Sequence, residues 1–89
     1  MRIRMVEITH AWGLHARAAA RVVAVASCFR SDVALVFAGR RASARSILAV
    51  MLLAAAMGGV IRIEAEGEDE VQAAEALCTL IREDFGLRR

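Results

Sequence analysis

The chain has no proline and no tyrosine, and aromatic residues make up only 4% of it. It also has no lysine, so all 12 basic residues are arginine. The absence of lysine reads as coding bias and carries no mechanism. The arginines stand singly or in pairs, without aromatic interleaving. A nucleic-acid surface would concentrate its charge on one element, so with a net charge of +2 no nucleic-acid partner is expected. No linker, repeat or low-complexity segment divides the chain.

Cysteine is scarce. Cys28 and Cys78 lie far apart, with no CxxC spacing and no ligand cluster around either. Both read as buried free thiols of a reducing compartment, and no metal or other cofactor is implied. The N-terminus, MRIRMVEITH, is charged early but has no apolar core behind it, unlike a signal peptide. The longest uncharged run, SILAVMLLAAAMGGVI (46–61), falls short of the roughly 20 residues of a spanning helix, and Gly58-Gly59 interrupts it. A soluble, cytoplasmic protein without a membrane partner is the expectation.

What the sequence does contain is compatible with one small domain, residues 1–89. The hydrophobic fraction is 58%, but 19 of those residues are alanines, which suit close helix packing more than bulk burial. The charged fraction of 25% is ordinary for a soluble chain.

Residues 2–9 (RIRMVEIT) combine β-branched side chains with partial alternation and read as a strand. HAWG is a loop closed by glycine. Residues 16–28 form a helix with Arg17 and Arg21 on one face and Ala19, Ala20, Val23 and Ala26 among the residues opposite. Ser31-Asp32 introduces VALVF, in which Val33, Leu35 and Phe37 share a side. Ala38-Gly39-Arg40 turns the chain into a short partner strand at 40–43, completing a hairpin. Ser46 caps a helix over 47–56. VIRIEAE (60–66) then alternates cleanly, with Ile61, Ile63 and Ala65 inward and Arg62, Glu64 and Glu66 toward water. Gly67 ends that strand. Asp69, with Gln72 three residues on, has the form of a capping box. In the last helix Val71, Ala74, Leu77, Cys78, Ile81 and Phe85 recur at helical spacing before Gly86. Each strand has one apolar face and each helix one apolar side. The fold class is therefore α+β, an open-faced two-layer sandwich with a four-stranded antiparallel sheet covered on one face by three helices.

The stretch GLHAR (13–17) has chemistry of its own. A helix opening near Ala16 puts His15 where the first N–H groups lack carbonyl partners and the helix carries about half a positive charge. Such a terminus binds phosphate and disfavours imidazolium, so His15 should be neutral and nucleophilic near pH 7. Arg17 adds a planar cation suited to phosphate oxygens. Together they form a site for a transient phosphohistidine.

GLHAR, the segment ASARSILAVMLLAA and the run IEAEGEDE before the last helix resemble, in order and spacing, the HPr family of phosphocarriers of the bacterial phosphotransferase system. The resemblance spans nearly the whole chain. It implies a carrier and not an enzyme: a histidine, here His15, accepts phosphate on Nδ1 from phosphorylated enzyme I and passes it to an enzyme IIA. Arg17 is then the phosphate-stabilising arginine, and Ala16, Arg17 and Ala18 bound the phosphate-binding turn. Ala18 stands where the best-known members have proline, which gives the turn an additional N–H. This HARA form resembles that of many proteobacteria and leaves the final phosphoryl acceptor open.

The resemblance further implies regulation at Ser46 by an HPr kinase/phosphorylase; a phosphate at a helix start is tolerated by the macrodipole. Residues 47–56 cannot all face so small a core. Ile47, Leu48 and Met51 are therefore expected to be exposed in part, forming a partner-binding patch beside His15. Trp12 is placed at the rim of the site. His10, which has no metal partners at suitable spacing, reads as a plain surface histidine, and 66–70 as a solvated acidic turn. A monomer is expected. The alternative function is a regulatory binding module read out through Ser46 without sugar transport.

Overall fold

The computed structural model describes residues 1–87. Alternating apolar side chains build four strands: β1 (Arg2–Glu7), β2 (Asp32–Phe37), β3 (Arg40–Ser43) and β4 (Val60–Glu66). They pair antiparallel in the order β1-β4-β2-β3. In the hairpin, Phe37 pairs with Arg40. That leaves Ala38 and Gly39, at φ 52° and 78°, as a two-residue loop whose positive φ values match the twist of the flanking strands. β1 stops short of the expected 2–9. Ile8 continues it in another way, exchanging backbone hydrogen bonds of 2.8 Å with Gly59 and Gly58, and is fully buried.

Three helices, α1 (Ala16–Ala26), α2 (Ile47–Leu52) and α3 (Glu70–Arg82), cover one face of the sheet, in agreement with the expected fold class. Val22, Leu35, Ile61, Ile63, Leu77 and Ile81 are the large buried side chains between the layers. The buried stripe of α1 is Ala18, Ala19, Val22 and Ala26. Ala20, expected inward, is exposed and Val23 only half-buried, because a 100° step per residue carries Ala20 round toward Arg17 and Arg21.

Other expectations are corrected. α2 ends at Leu52, not at residue 56. Ala54 turns to φ 55°, and the freed Leu52 carbonyl accepts from the Arg40 guanidinium at 3.0 Å. The last helix closes at Arg82, and Phe85 is buried from a separate 3-10 turn, Asp84–Gly86. Val71 is exposed, leaving Ala73, Ala74, Leu77, Cys78 and Ile81 as the inward face of α3.

No capping box forms with Gln72. The Asp69 carboxylate instead accepts from the Ser31 hydroxyl at 2.6 Å and from the N–H groups of Ser31 and Arg30 at 2.9 and 3.0 Å. It thereby ties the start of α3 to the loop before β2. Cys28 is exposed and only Cys78 is buried; both are free thiols. Glu64, expected in water, is buried. It points to the helix-free face from an interior strand, where the guanidinium groups of Arg41 and Arg62 lie over its carboxylate. Among the described residues no helix is long and apolar enough to cross a membrane.

Candidate functional site

The site is assembled where the β1–α1 loop meets the segment after α2. Gly13, at φ 60°, makes the turn. A side chain there would begin 2.4 Å from the Ala55 carbonyl oxygen, and this close approach lets the Leu14 N–H donate to that same oxygen at 3.0 Å. Leu14 is buried. The next residue is held at the mouth of α1.

His15 is the N-cap of α1. Its backbone is extended (φ −80°, ψ 179°), and its carbonyl accepts the first helical bond, from Ala19 N–H at 2.9 Å. The imidazole takes the part usually played by a serine or aspartate oxygen: Nδ1 accepts from the Arg17 N–H at 3.2 Å. A ring nitrogen that accepts carries no proton, so the neutral ring is protonated on Nε2. That nitrogen is buried without a hydrogen-bond partner among the described residues. Burial of the ring, together with neighbouring His10 and Arg17, lowers the His15 pKa below its ordinary 6.5. The surroundings thus favour the neutral imidazole.

Arg17 lies exposed in the first turn, and the N–H groups of Ala16, Arg17 and Ala18 have no intrahelical carbonyl. Ala16 is exposed, whereas Ala18 is fully buried, its methyl group belonging to the core. An open depression of about 490 Å³ is lined by Thr9, His10, Trp12, His15, Arg17 and Asp84, among others. Trp12 is 69% exposed and stands edge-on to His15 with ring centroids 5.3 Å apart, at the expected rim.

Ser46 caps α2, its Oγ accepting from Ala49 N–H at 3.1 Å. Val50 faces inward, leaving Ile47, Leu48 and Met51 exposed, as the length of the apolar run required. Leu52 is exposed as well, though it was not named from sequence. α2 packs on α1, so this apolar surface belongs to the helix that borders the site, although it does not line the depression.

Three polar residues of the depression were missed from sequence. His10 is no isolated surface histidine: its ring lies 5.2 Å from that of His15. Its place five residues upstream, with a turn-forming glycine between, was the available signal. Thr9 donates to the Asp84 carboxylate at 2.6 Å. No local signal joins two residues so far apart in the chain. Among the described residues, no group of three or more His, Cys, Asp and Glu side chains is arranged to hold a metal ion.

Comparison with known proteins bears on the same residues. A family model described as the PTS HPr component phosphorylation site matches residues 3–83. The phosphocarrier protein HPr of Xylella fastidiosa (strain Temecula1) is 47% identical over 78 residues, 88% of each chain. That of Cupriavidus necator is 45% identical over 74 residues, 83% of each chain. The crystal structure of HPr-C-His from Thermoanaerobacter tengcongensis superposes with a TM-score of 0.93 at 38% identity, covering 100% of both chains. Since sequence and fold agree over nearly the full length, the chain belongs to the HPr family and is a phosphoryl carrier of the bacterial phosphotransferase system.

Proposed function

We propose that His15 is the residue phosphorylated, taking the phosphoryl group on Nδ1 from phosphorylated enzyme I and giving it to an enzyme IIA protein in the cytoplasm. The observation that carries this reading is the aim of Nδ1: its lone pair meets the Arg17 N–H at the start of α1. An incoming phosphorus on Nδ1 arrives where that N–H points, so the Arg17 N–H passes from the ring nitrogen to a phosphoryl oxygen. The bond from phosphorus to the donor breaks as the bond to Nδ1 forms, the electron pair leaving with the donor, and the proton on Nε2 stays in place. The N–H groups of Ala16 and Ala18, the helix dipole and the Arg17 guanidinium hold the developing charge. Ala18 adds an N–H that proline would lack. The protein is spent and recharged in each cycle, as a relay substrate and not a catalyst.

The exposed surface of Trp12, Ile47, Leu48 and Met51 serves as the docking face for both partners, and a monomer suffices because donor and acceptor use it in turn. Incubation with enzyme I and phosphoenolpyruvate should place acid-labile phosphate on the wild type and none on His15→Ala. Replacing Arg17 with leucine should slow transfer by about tenfold or more. Equal labelling of the alanine variant would remove His15 from the reaction.

Ser46 supports a regulatory reading beside this one. Its Oγ sits at the start of the helix that carries the docking face, so a phosphate there adds about −1.5 to −2 charges to that surface while the macrodipole tolerates it. Exposure to an HPr kinase/phosphorylase and ATP should yield acid-stable phosphoserine on the wild type and none on Ser46→Ala. Failure of the wild type to label would exclude Ser46 as a site for that kinase.

A further inference from the structure

We propose that His10 is a second phosphoryl-binding residue, donating its Nε2–H to an oxygen of the phosphoryl group carried on His15. The inference rests on His15 as acceptor and adds a residue to that site. His10 Nδ1 accepts from the Trp12 backbone N–H at 3.1 Å, which sets the tautomer: the neutral ring keeps its proton on Nε2, and Nε2–H is the donor it can offer. The ring is held in place by its neighbours. Trp12 lies edge-on at 5.7 Å and the buried Phe85 edge-on at 6.3 Å, while the His15 ring is tilted 45° with its centroid 5.2 Å away.

The charges around the depression call for such a donor. His15 and Arg17 face His10 from the start of α1, and Asp84 faces it from the 3-10 turn; together with Thr9 they line the same depression. The Asp84 carboxylate, which accepts from the Thr9 hydroxyl, offsets the positive charge of Arg17. Among the described residues lining the mouth the charges of Arg17 and Asp84 cancel, so a phosphoryl group bearing about −1.5 to −2 charges draws on oriented N–H donors. His10 supplies one through its Nε2–H. No covalent step is added: His15 alone bonds to phosphorus, and His10 keeps its proton throughout.

The test compares His10→Gln, His10→Asn and His10→Leu with the wild type, each phosphorylated by enzyme I and phosphoenolpyruvate. Glutamine places its amide nitrogen where Nε2 stood and keeps the donor. Asparagine places an acceptor where Nδ1 stood, keeping the Trp12 contact but losing the donor. The leucine and asparagine variants should shift the phosphorylation equilibrium against the phosphoprotein by about tenfold, with glutamine within about threefold of wild type. In the wild type the His10 Nε2–H proton resonance should move downfield on phosphorylation. An asparagine variant equal to wild type, a glutamine variant as impaired as leucine, or an unmoved Nε2–H resonance would overturn the proposal. Phosphate on His15 with any of these outcomes removes only His10, whereas absence of phosphate from His15 in the wild type removes both assignments.

Discussion

An imidazole is an uncommon helix cap, and at His15 the capping bond has a chemical consequence. Accepting the Arg17 N–H keeps Nδ1 unprotonated, and burial, His10 and Arg17 in turn disfavour the imidazolium. A lowered pKa means the neutral ring persists as pH falls through 6.5, the ordinary histidine value. Phosphoryl acceptance should accordingly hold across that range and decline only at lower pH. An NMR titration of His15 should find its midpoint below 6.5, and Arg17→Gln should move it upward. A wild-type midpoint at or above 6.5 would contradict the argument. Stability follows the same sign: with the folded pKa depressed, the unfolded chain takes the proton first, so the His15 contribution to stability is lost as pH falls below 6.5. The proposed site at His15 and Arg17 was legible in the sequence because imidazole, cation and helix start lie within three residues of one another. His10 was not, because its role depends on how a loop turns its ring, and that depends on Gly13, Trp12 and Phe85.

At the scale of elements, the site depends on a contact between two segments that are not themselves helical. The loop at Gly13 and the chain after Leu52 meet so closely that no side chain fits between them. Gly13→Ala should separate them, both through the clash with Ala55 and through the strain of φ 60° on a residue with a Cβ. The expected cost is about 1–3 kcal/mol of stability, read as a lower midpoint in denaturant. A slower phosphoryl transfer should accompany it, because the loop carrying His15 loses its anchor at Leu14. Unchanged stability and transfer together would show the contact to be dispensable.

The same contact explains why α2 ends early. Nothing in ILAVMLLAAA forbids a longer helix, and alanine favours one. The chain leaves the helix because the Ala55 carbonyl is needed by Leu14 and the Leu52 carbonyl by Arg40. The capping box failed for a related reason, since the Asp69 carboxylate bonds a distant loop in preference to its own helix. Those bonds, the Ser31 hydroxyl foremost, lower its pKa to about 2. The hairpin, by contrast, was legible, because Ala38-Gly39 and the flanking alternation are local signals.

At the scale of the whole molecule, periodicity and tertiary structure divided the work. Strand alternation and helical spacing suffice to give every element one buried side, and seven such elements in this order close as a sheet with helices on one face. The sequence by itself also carried the proposed phosphoryl site, because the residues of GLHAR and the helix they open are contiguous. Beyond the β2–β3 hairpin, only the tertiary structure decided which strands are neighbours, with β4 between β1 and β2. That placement buries Glu64, an outward residue by alternation, beneath two arginines on the open face. It likewise sends Phe85 into the core from a 3-10 turn and brings Asp84 to Thr9 and His10 to His15. Periodicity reports which side of an element is apolar. It does not report which distant group will stand opposite, because that follows from packing all the elements at once.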